Sequence, residues 1–296
     1  MKFREHLVKA LLHGLARLSL QRIHKIADTL AKIVLRLRKS RATRTISTNI
    51  KLCFPELSPE QQAQLSRDCV QQSSRCFAEL SALWLWSPER IMQLVKQVSG
   101  LEYLDAAMAR GKGVILLTPH LGAWEMAGLF ASSRYKITSL YRPPKMQGLE
   151  SLVKSGRESM GARLVPTDSS GIKALFQALR RGEIAGILPD HEPSRGTGVF
   201  APFFGIQAYS MILVPRLAQK TEATVIFTFA ERLPDAQGFH LHFLPADPEV
   251  SSSDLSVAAA ALNAGVERCV RICPSQYQWG YKRFKSRPDG EERFYP

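Results

Sequence analysis

The chain has 296 residues, enough for one large α/β domain or two smaller ones, and its 45% of hydrophobic residues is ordinary for a globular protein. Charge is the unusual property, because 40 Lys and Arg against 26 Asp and Glu leave a net charge of +14. The five cysteines are odd in number and lack zinc-ligand spacing, which argues against a disulfide framework or a zinc knuckle, so we expect reduced thiols.

The first 44 residues carry most of the excess charge. They contain twelve basic residues against Glu5 and Asp28, which supplies +10 of the +14. From Leu7 to Leu37 polar residues recur every three or four positions between leucines and isoleucines, and this periodicity predicts one amphipathic helix with a basic side. Charges interrupt every apolar stretch, so the helix lacks the ~20 consecutive apolar residues of a membrane span and the uncharged core of a signal peptide.

Three interpretations remain open for this N-terminal helix. It could lie in the interface of an anionic membrane, bind nucleic acid through phosphates, or pack on its own domain with a solvated basic face. No zinc spacing, RNA-binding aromatic motif or Gly-rich basic tail accompanies the charge. Among functional roles we therefore favour membrane attachment and expect no nucleic-acid partner.

The chain changes character after residue 45. Ser58 is predicted to cap a helix with Pro59 at its first position, and this helix is expected to run to about Trp86. We then expect strands near residues 113–118, 136–141, 184–189, 223–230 and 238–244, and helices near residues 122–132, 148–160, 170–181, 208–220 and 254–272. The alternation predicts an α/β fold, a mixed central sheet flanked by helices, as a single domain over residues 45–296 behind the helix of residues 1–44.

The segment GVILLTPHLGAWEMAGLF, residues 113–130, is the strongest candidate for chemistry. An apolar strand pattern ends at His120, and Glu125 follows in the first turn of a predicted helix. The spacing itself carries no weight, because a histidine followed five residues later by an acid is expected roughly 0.6 times by composition. His242 and Asp247 repeat it in a different context, a strand-like segment followed by a loop.

The position of His120 and Glu125 at the junction of a strand and a helix distinguishes this pair from His242 and Asp247. Residues five apart diverge by about 140° on a regular helix, but His120 at the non-helical entry and Glu125 one turn in can meet. Glu125 is then predicted to accept a hydrogen bond from one ring nitrogen, leaving the other to take a proton from a substrate hydroxyl. The alternative is that His120 caps the helix beside an exposed Glu125.

Other catalytic patterns are missing from the sequence. It contains no G-x-S-x-G elbow, no P-loop and no strand-linked G-x-G-x-x-G. Asp190, His191 and Glu192 are consecutive candidate metal ligands, but neighbouring side chains of an extended segment diverge, so no metal site is predicted.

Several segments together resemble a known family. TPHLGAWE is similar to the first motif of the lysophospholipid acyltransferase superfamily, in which four residues separate a histidine from an acid. More narrowly, the chain resembles the late acyltransferases of lipid A biosynthesis in Gram-negative bacteria, the lauroyl and myristoyl type. The segments follow the family order over nearly the whole chain: NIKLCFPELS, YRPPK at 141–145, GARLVP at 161–166, LPDHEPSRGTGVFAPFFG at 188–205 and QYQWGYKRFKSRP at 276–288.

The resemblance implies a reaction, partners and a location. An acyl chain would pass from acyl carrier protein to a hydroxyl of a phosphorylated glucosamine lipid, a precursor of the Kdo2-lipid IVA type, with no cofactor and no acyl-enzyme. His120 would be the general base and Glu125 would orient it. The enzyme would work against an anionic membrane, at the cytoplasmic face of the bacterial inner membrane. A same-fold acyltransferase for another glycolipid or a lysophospholipid is one alternative, and a non-enzymatic basic protein that binds membranes or nucleic acid is the other.

The resemblance also suggests substrate-binding residues. Arg142 and Arg163 match basic positions of the family segments and are expected to bind phosphate or developing charge, with surface salt bridges as the alternative. Asp190 and Arg195 are expected near the site, in the loop whose phenylalanines we assign mostly to the core. His191 departs from the glutamine expected in much of the family. The basic C-terminal segment YKRFKSRPDGEERFYP suits either an anionic bilayer or the acidic carrier protein.

Overall fold

The computed structural model describes residues 2–36 and 41–295. Its first elements are helices: α1 Lys2–Ala16, α2 Leu20–Arg36, α3 Arg41–Cys53, α4 Pro59–Leu85 and α5 Pro88–Met92. Strands and helices then alternate: β1 Val95–Ser99, α6 Leu101–Ala109, β2 Val114–Leu117, α7 Trp124–Arg134, β3 Ile137–Tyr141, α8 Glu150–Glu158, β4 Arg163–Pro166, α9 Ser169–Arg180, β5 Ile184–Ile187, β6 Gly198–Phe203, β7 Ile206–Met211, α10 Leu213–Thr221, β8 Thr224–Arg232, β9 Phe239–Pro245 and α11 Leu255–Ile272.

A seven-stranded sheet forms the centre of the protein, in the order β1-β9-β8-β2-β5-β3-β4. All neighbouring strands are parallel except β8 and β9, which are antiparallel, so the predicted α/β fold with a mixed sheet is confirmed. Every residue of the central strand β2 is buried, because apolar clusters lie on both faces of the sheet. Strands β6 and β7 form a separate antiparallel hairpin against α11.

The sheet positions two loops side by side. Strands β2 and β5 are parallel neighbours, with Leu117 paired to Ile187 at their carboxyl ends. His120 follows β2 and Asp190 follows β5, each three residues after the last strand residue. Carboxyl ends of parallel strands are where α/β folds place their sites, so the topology brings these two side chains to one edge of the sheet.

The predicted strands and helices are mostly confirmed, with several exceptions, among them α6, Leu101–Ala109, a helix that the sequence patterns do not predict. The sequence patterns miss β1 and β4, which lie at the two ends of the sheet, and miss the hairpin of β6 and β7. The helix expected over 208–220 begins only at Leu213, since residues 208–211 belong to β7. The predicted cap of α4 is confirmed, because the Ser58 hydroxyl accepts from the Gln61 backbone and the Gln61 side chain accepts from the Ser58 backbone.

The single N-terminal helix predicted from Leu7 to Leu37 is wrong, since two helices occupy this segment. Helix α1 ends at Ala16, and α2 starts at Leu20 because the Ser19 hydroxyl accepts a hydrogen bond from the Arg22 backbone at 3.4 Å. Residue 37 of the predicted helix lies outside the described residues. Helix α3, residues 41–53, runs across the predicted boundary at residue 44.

A buried ionic cluster ties α2 to the rest of the protein. His24 Nε2 lies 2.5 Å from Glu79 Oε1 on α4, and the Arg232 guanidinium at the end of β8 donates to both Glu79 oxygens at 2.5 and 2.6 Å. All three side chains are at most 5% exposed. Helix α2 therefore packs on the domain as well as carrying basic charge.

Candidate active site

The loop between β2 and α7 is held by backbone hydrogen bonds on both sides of His120. The His120 carbonyl accepts from the Gln278 backbone at 3.0 Å, and the Ala123 backbone donates to the Ala230 carbonyl at 2.8 Å. Gly122 has a φ of +61°, and a Cβ there would lie 2.0 Å from the Ala230 carbonyl oxygen. Only glycine fits this approach, so the turn that presents His120 depends on it.

Asp190 orients the imidazole of His120. The His120 backbone donates to Asp190 Oδ2 at 2.9 Å, and His120 Nδ1 lies 2.8 Å from Asp190 Oδ1. Asp190 is 2% exposed. Burial alone would raise its pKa, but the charge and hydrogen bonds of His120 outweigh burial and hold the pKa of Asp190 well below its usual range. The ionised carboxylate therefore places the proton on Nδ1, and Nε2 has no hydrogen-bond partner among the described residues.

The predicted hydrogen bond between Glu125 and His120 is not formed. Glu125 is buried and binds the Arg157 guanidinium of α8 through both carboxylate oxygens, with Arg157 Nε 2.9 and 3.0 Å away and Nη2 in closer contact. The physical reason is the sheet order: β2 and β5 are parallel neighbours, so the Asp190 carboxylate that follows β5 occupies the position beside His120 Nδ1. A direct catalytic role of Glu125 stays a prediction, and its partner in this structure is a cation.

A stack of rings covers one face of His120. The His191 ring lies parallel to it with centroids 3.9 Å apart, and Tyr281 stacks on the other side of His191 at 3.8 Å. Burial and the charge of His120 lower the pKa of His191 to about 4. His191 is therefore neutral near pH 7, and Gln278 Oε1 lies 3.2 Å from its Nε2. His191, which stands where glutamine is expected in much of the family, thus packs directly on His120, the candidate base.

An apolar cleft opens between the sheet and helix α7, and Trp124, whose ring lies 5.3 Å from that of His120, is part of its wall. Glu125 and Arg157 provide its charged groups, and Gly128 and Gly186 leave space in its walls. The rest of the lining is mostly apolar: Leu116, Trp124, Leu129, Ile137, Leu140, Ala162, Leu164, Ile187 and Leu188. A cleft of this shape and chemistry fits a hydrocarbon chain.

The predicted cations fall in three places. Arg142 follows β3 and is exposed. Arg163 starts β4 and pairs with Thr138 at the amino-terminal side of the sheet, and its role in substrate binding stays a prediction. Arg195 is exposed and lines a second cleft together with three basic residues of the C-terminal segment: Lys285, Arg287 and Arg293.

Sequence reasoning missed two parts of the site. The sequence does not indicate a role for Arg157 in the site, because a single arginine on an amphipathic helix is usually a solvated surface residue. The C-terminal segment QYQWGYKRFKSRP does carry a sequence signal, because it resembles a family segment. Its contacts with His191 cannot be read from the sequence. Gln278 and Tyr281 come from this segment and contact His191, Gln278 by a hydrogen bond and Tyr281 by ring stacking. The Tyr281 hydroxyl also accepts a hydrogen bond from the Glu192 backbone N–H at 2.9 Å.

The run of Asp190, His191 and Glu192 does not form a metal site in this fold. Asp190 faces His120, whereas both Glu192 oxygens accept hydrogen bonds from Ser286 at 3.0 Å. Within residues 2–36 and 41–295, the side chains close enough to share a metal ion are Glu231, His240 and His242. The chemistry available at His120 is therefore proton transfer at a free ring nitrogen beside an apolar cleft.

Comparisons with known proteins point in one direction. A family model described as bacterial lipid A biosynthesis acyltransferase matches residues 2–286. Relatives in Escherichia coli (strain K12) include a lipid A biosynthesis lauroyltransferase, 28% identical over 269 residues, or 90% of this chain and 87% of that protein. A palmitoleoyltransferase is 27% identical over 83% of this chain and 80% of its own, and a myristoyltransferase 27% over 90% and 82%. The relatives are named for three different acyl groups, so the similarity selects no chain length.

Proposed function

The chain belongs to the bacterial lipid A biosynthesis acyltransferase family, and on this premise we propose that it transfers a fatty acyl group from acyl carrier protein to a hydroxyl of a lipid A precursor of the Kdo2-lipid IVA type. One observation supports the chemistry most. His120 is held at Nδ1 by a buried Asp190 carboxylate, with Nε2 unpartnered within the described residues, beside an apolar cleft.

His120 is the general base in this mechanism. Its Nε2 takes the proton of the acceptor hydroxyl while the hydroxyl oxygen attacks the thioester carbonyl. The tetrahedral intermediate collapses with expulsion of the carrier thiolate, which takes the proton back from the His120 imidazolium. Asp190 stabilises that imidazolium and fixes the tautomer. The product is an ester, and no bond to the enzyme forms at any stage.

Glu125 acts in this proposal through Arg157. The carboxylate holds Nε and Nη2 of the guanidinium, and Nη1 has no hydrogen-bond partner among the described residues. Burial would lower the pKa of Arg157, but the charge of Glu125 raises it, so the cation persists at the cleft. A fixed cation at this place stabilises negative charge on the thioester oxygen as the intermediate forms.

In this proposal the two clefts bind different parts of the substrates. The apolar cleft takes the acyl chain, because burial of each methylene contributes about 0.8 kcal/mol. The cleft lined by Arg195, Lys285, Arg287 and Arg293 takes phosphate groups of the acceptor lipid. The acidic carrier protein docks on the remaining basic surface, where complementary charge accelerates encounter.

Helices α1 and α2 attach the enzyme to the cytoplasmic face of the inner membrane in this proposal. No helix described for the chain is both long and apolar enough to cross a bilayer. Each of these two helices exposes a stripe of large apolar side chains, Phe3, Leu7 and Leu11 on α1 and Ile26, Leu30 and Ile33 on α2. An amphipathic helix with such a stripe lies in the interface plane, with basic residues at the headgroups.

The test uses the purified full chain with acyl carrier protein thioesters of several chain lengths and Kdo2-lipid IVA. Transfer is expected, and His120→Ala is expected to lose it by a factor on the order of 10²–10⁴. His13→Ala, which removes an exposed histidine of α1, is the matched control. Full activity of His120→Ala would overturn the mechanism. Transfer only to a lysophospholipid or another glycolipid would redirect the substrate, and binding without transfer would favour a basic binding protein.

A further inference from the structure

A second cluster of chemically active side chains lies on β8 and β9, apart from His120. Glu231 on β8 stands directly opposite His240 on β9, and His242 follows two residues along the same strand. Side chains alternate along a strand, so residues 240 and 242 share one face of the sheet with the cross-strand partner of 240. We propose that Glu231, His240 and His242 form a binding site for a divalent transition-metal ion of the Zn²⁺ class.

The distances fit such an ion. One ligand atom of each residue lies within 4.8 Å of those of the other two. Glu231 Oε2 is 2.9 Å from His242 Nε2 and 3.8 Å from His240 Nδ1. In a tetrahedral zinc site with metal–ligand bonds of about 2.0–2.2 Å, ligand atoms lie about 3.3–3.6 Å apart. The two observed separations bracket this range, so small side-chain rotations are enough to enclose an ion.

Neighbouring groups orient both imidazoles. Ser99 Oγ on β1 lies 2.8 Å from His240 Nε2, which leaves His240 Nδ1 to face Glu231. The His242 ring stacks on Phe229 with centroids 4.6 Å apart and planes within 10°. Hydrogen bonds to the second ring nitrogen and packing against the ring plane are how proteins fix histidine ligands. The third strand, β1, thus supports a site made by the other two.

Electrostatics favours a cation at this cluster. Across the part of the chain that the structure describes, Glu231 forms ion pairs only with the two histidines, so no lysine or arginine neutralises it. The three side chains are 13–27% exposed, which gives an ion and a water ligand access from solvent.

The ion would brace strands next to the catalytic loop. Ala230 precedes Glu231 on β8, and its carbonyl holds the Ala123 backbone at the start of α7. The hydrogen bonds of His240 and His242 go to Ser99 and Glu231, and not to His120 or Asp190. We assign the site a structural role, and it does not depend on the proposed acyl transfer.

The test is metal binding by the full chain, freed of any polyhistidine tag and treated with a chelator. Calorimetric titration with ZnCl₂ is expected to show one ion per chain. His242→Gln and Glu231→Gln each remove a ligand and are expected to weaken binding at least ~100-fold, and Ser99→Ala, which loses a supporting hydrogen bond, about 10-fold. Two controls, His191→Gln and His13→Gln, are expected to bind zinc like the original chain.

Two further readouts separate the outcomes. Co²⁺ in place of Zn²⁺ is expected to give the visible absorption of a tetrahedral site, and the band should be lost in the His242→Gln chain. Melting temperatures of the metal-free chains are expected to agree, which excludes misfolding as the cause of lost binding. The proposal is overturned if the original chain binds no zinc, or if His242→Gln and Glu231→Gln bind it equally well. Loss of binding in His191→Gln instead would place the ion beside His120.

Discussion

Asp190 holds His120 by two hydrogen bonds, one to the ring and one to the backbone. Asp190→Asn keeps the shape but replaces an acceptor oxygen by an amide that donates, so the ring is expected to change tautomer and to lose Nε2 as a base. We expect kcat to fall by a factor on the order of 10²–10⁴ with a small change in KM. Steady-state transfer rates measure this.

The matched control for that substitution is Asp235→Asn, at an exposed position whose φ of +52° asparagine tolerates. It is expected to leave kcat unchanged. Equal activity of the Asp190→Asn chain and the original would show that the carboxylate does not orient the base.

His191 predicts a pH dependence of stability. Its pKa falls to about 4 in the folded chain from an ordinary 6.5, so between these values the unfolded chain binds more protons at this position. Stability is therefore expected to fall as pH is lowered from 6.5 towards 4. The contribution is on the order of 3 kcal/mol, from 1.36 kcal/mol per pKa unit.

His191→Gln removes this titration and keeps a side chain that can hydrogen-bond Gln278. Urea unfolding at pH 4.5 and 7.5 is expected to show a smaller difference in unfolding free energy for His191→Gln than for the original chain, while His13→Gln shows the original difference. The lowered pKa of Asp190 adds its own loss only as pH falls below about 4, since that is the ordinary pKa of aspartate. An unchanged difference in His191→Gln would contradict the assignment.

At the scale of elements, helix α7 forms one wall of the apolar cleft. Gly128 lies in that wall, and a Cβ added there would meet nothing within 4 Å. Gly128→Met is therefore expected to fill the cleft without moving the backbone and to shift the preferred acyl donor to shorter chains. Comparing kcat/KM across donors of different length measures the shift. Gly14→Met, on α1 with the same open space, should leave the preference unchanged.

Two ion pairs fix α2 to its neighbours, and they differ in burial. Arg232, Glu79 and His24 are almost fully buried, whereas the Arg75 and Asp28 side chains are 19% and 24% exposed. Arg232→Ala leaves the Glu79 carboxylate buried with only His24 and is expected to cost about 3–5 kcal/mol of unfolding free energy. Arg75→Ala is expected to cost about 1 kcal/mol or less. Denaturant unfolding of both variants tests the contrast, and equal losses would contradict it.

The elements also explain which features could be predicted from sequence. Strands β2 and β5 are short apolar runs between helices, so their pattern is strong. Strand β1, VKQVS, and strand β4, RLVP, are partly exposed at the ends of the sheet and carry little pattern. The partner of His120 depends on which strand lies next to β2, and that is tertiary information. The strand–helix junction and the family motif therefore indicated Glu125, while the fold places Asp190 beside His120.

The whole molecule combines a basic N-terminal part with a site at one edge of the sheet. The first 44 residues carry +10 of the net +14, and the C-terminal segment adds cations beside Arg195. The inward side of α2 is fixed by Ile23, Ala27 and His24, which leaves its opposite side apolar and exposed. Helices α1 and α2 thus pack against the rest of the protein on one side and expose apolar side chains to solvent on the other.

That outward surface gives the last prediction. Phe3, Leu7 and Leu11 are 83%, 60% and 59% exposed and lie one helical turn apart on α1. Replacing all three by serine removes the apolar stripe without touching the basic residues. Since burying such a side chain contributes about 1.5–3 kcal/mol, binding to vesicles of anionic phosphatidylglycerol is expected to weaken by at least ~100-fold. Vesicle co-sedimentation at several lipid concentrations measures the affinity.

A matched control removes three exposed apolar side chains that form no stripe, by Tyr103→Ser, Ile172→Ser and Val257→Ser on three separate helices. This chain is expected to bind vesicles like the original. If charge alone held the protein, binding of the stripe variant would equal that of the original at low salt and both would dissociate as salt is raised. If the stripe inserts, the original keeps part of its binding at high salt because burial of apolar surface is not screened, and only the stripe variant loses it.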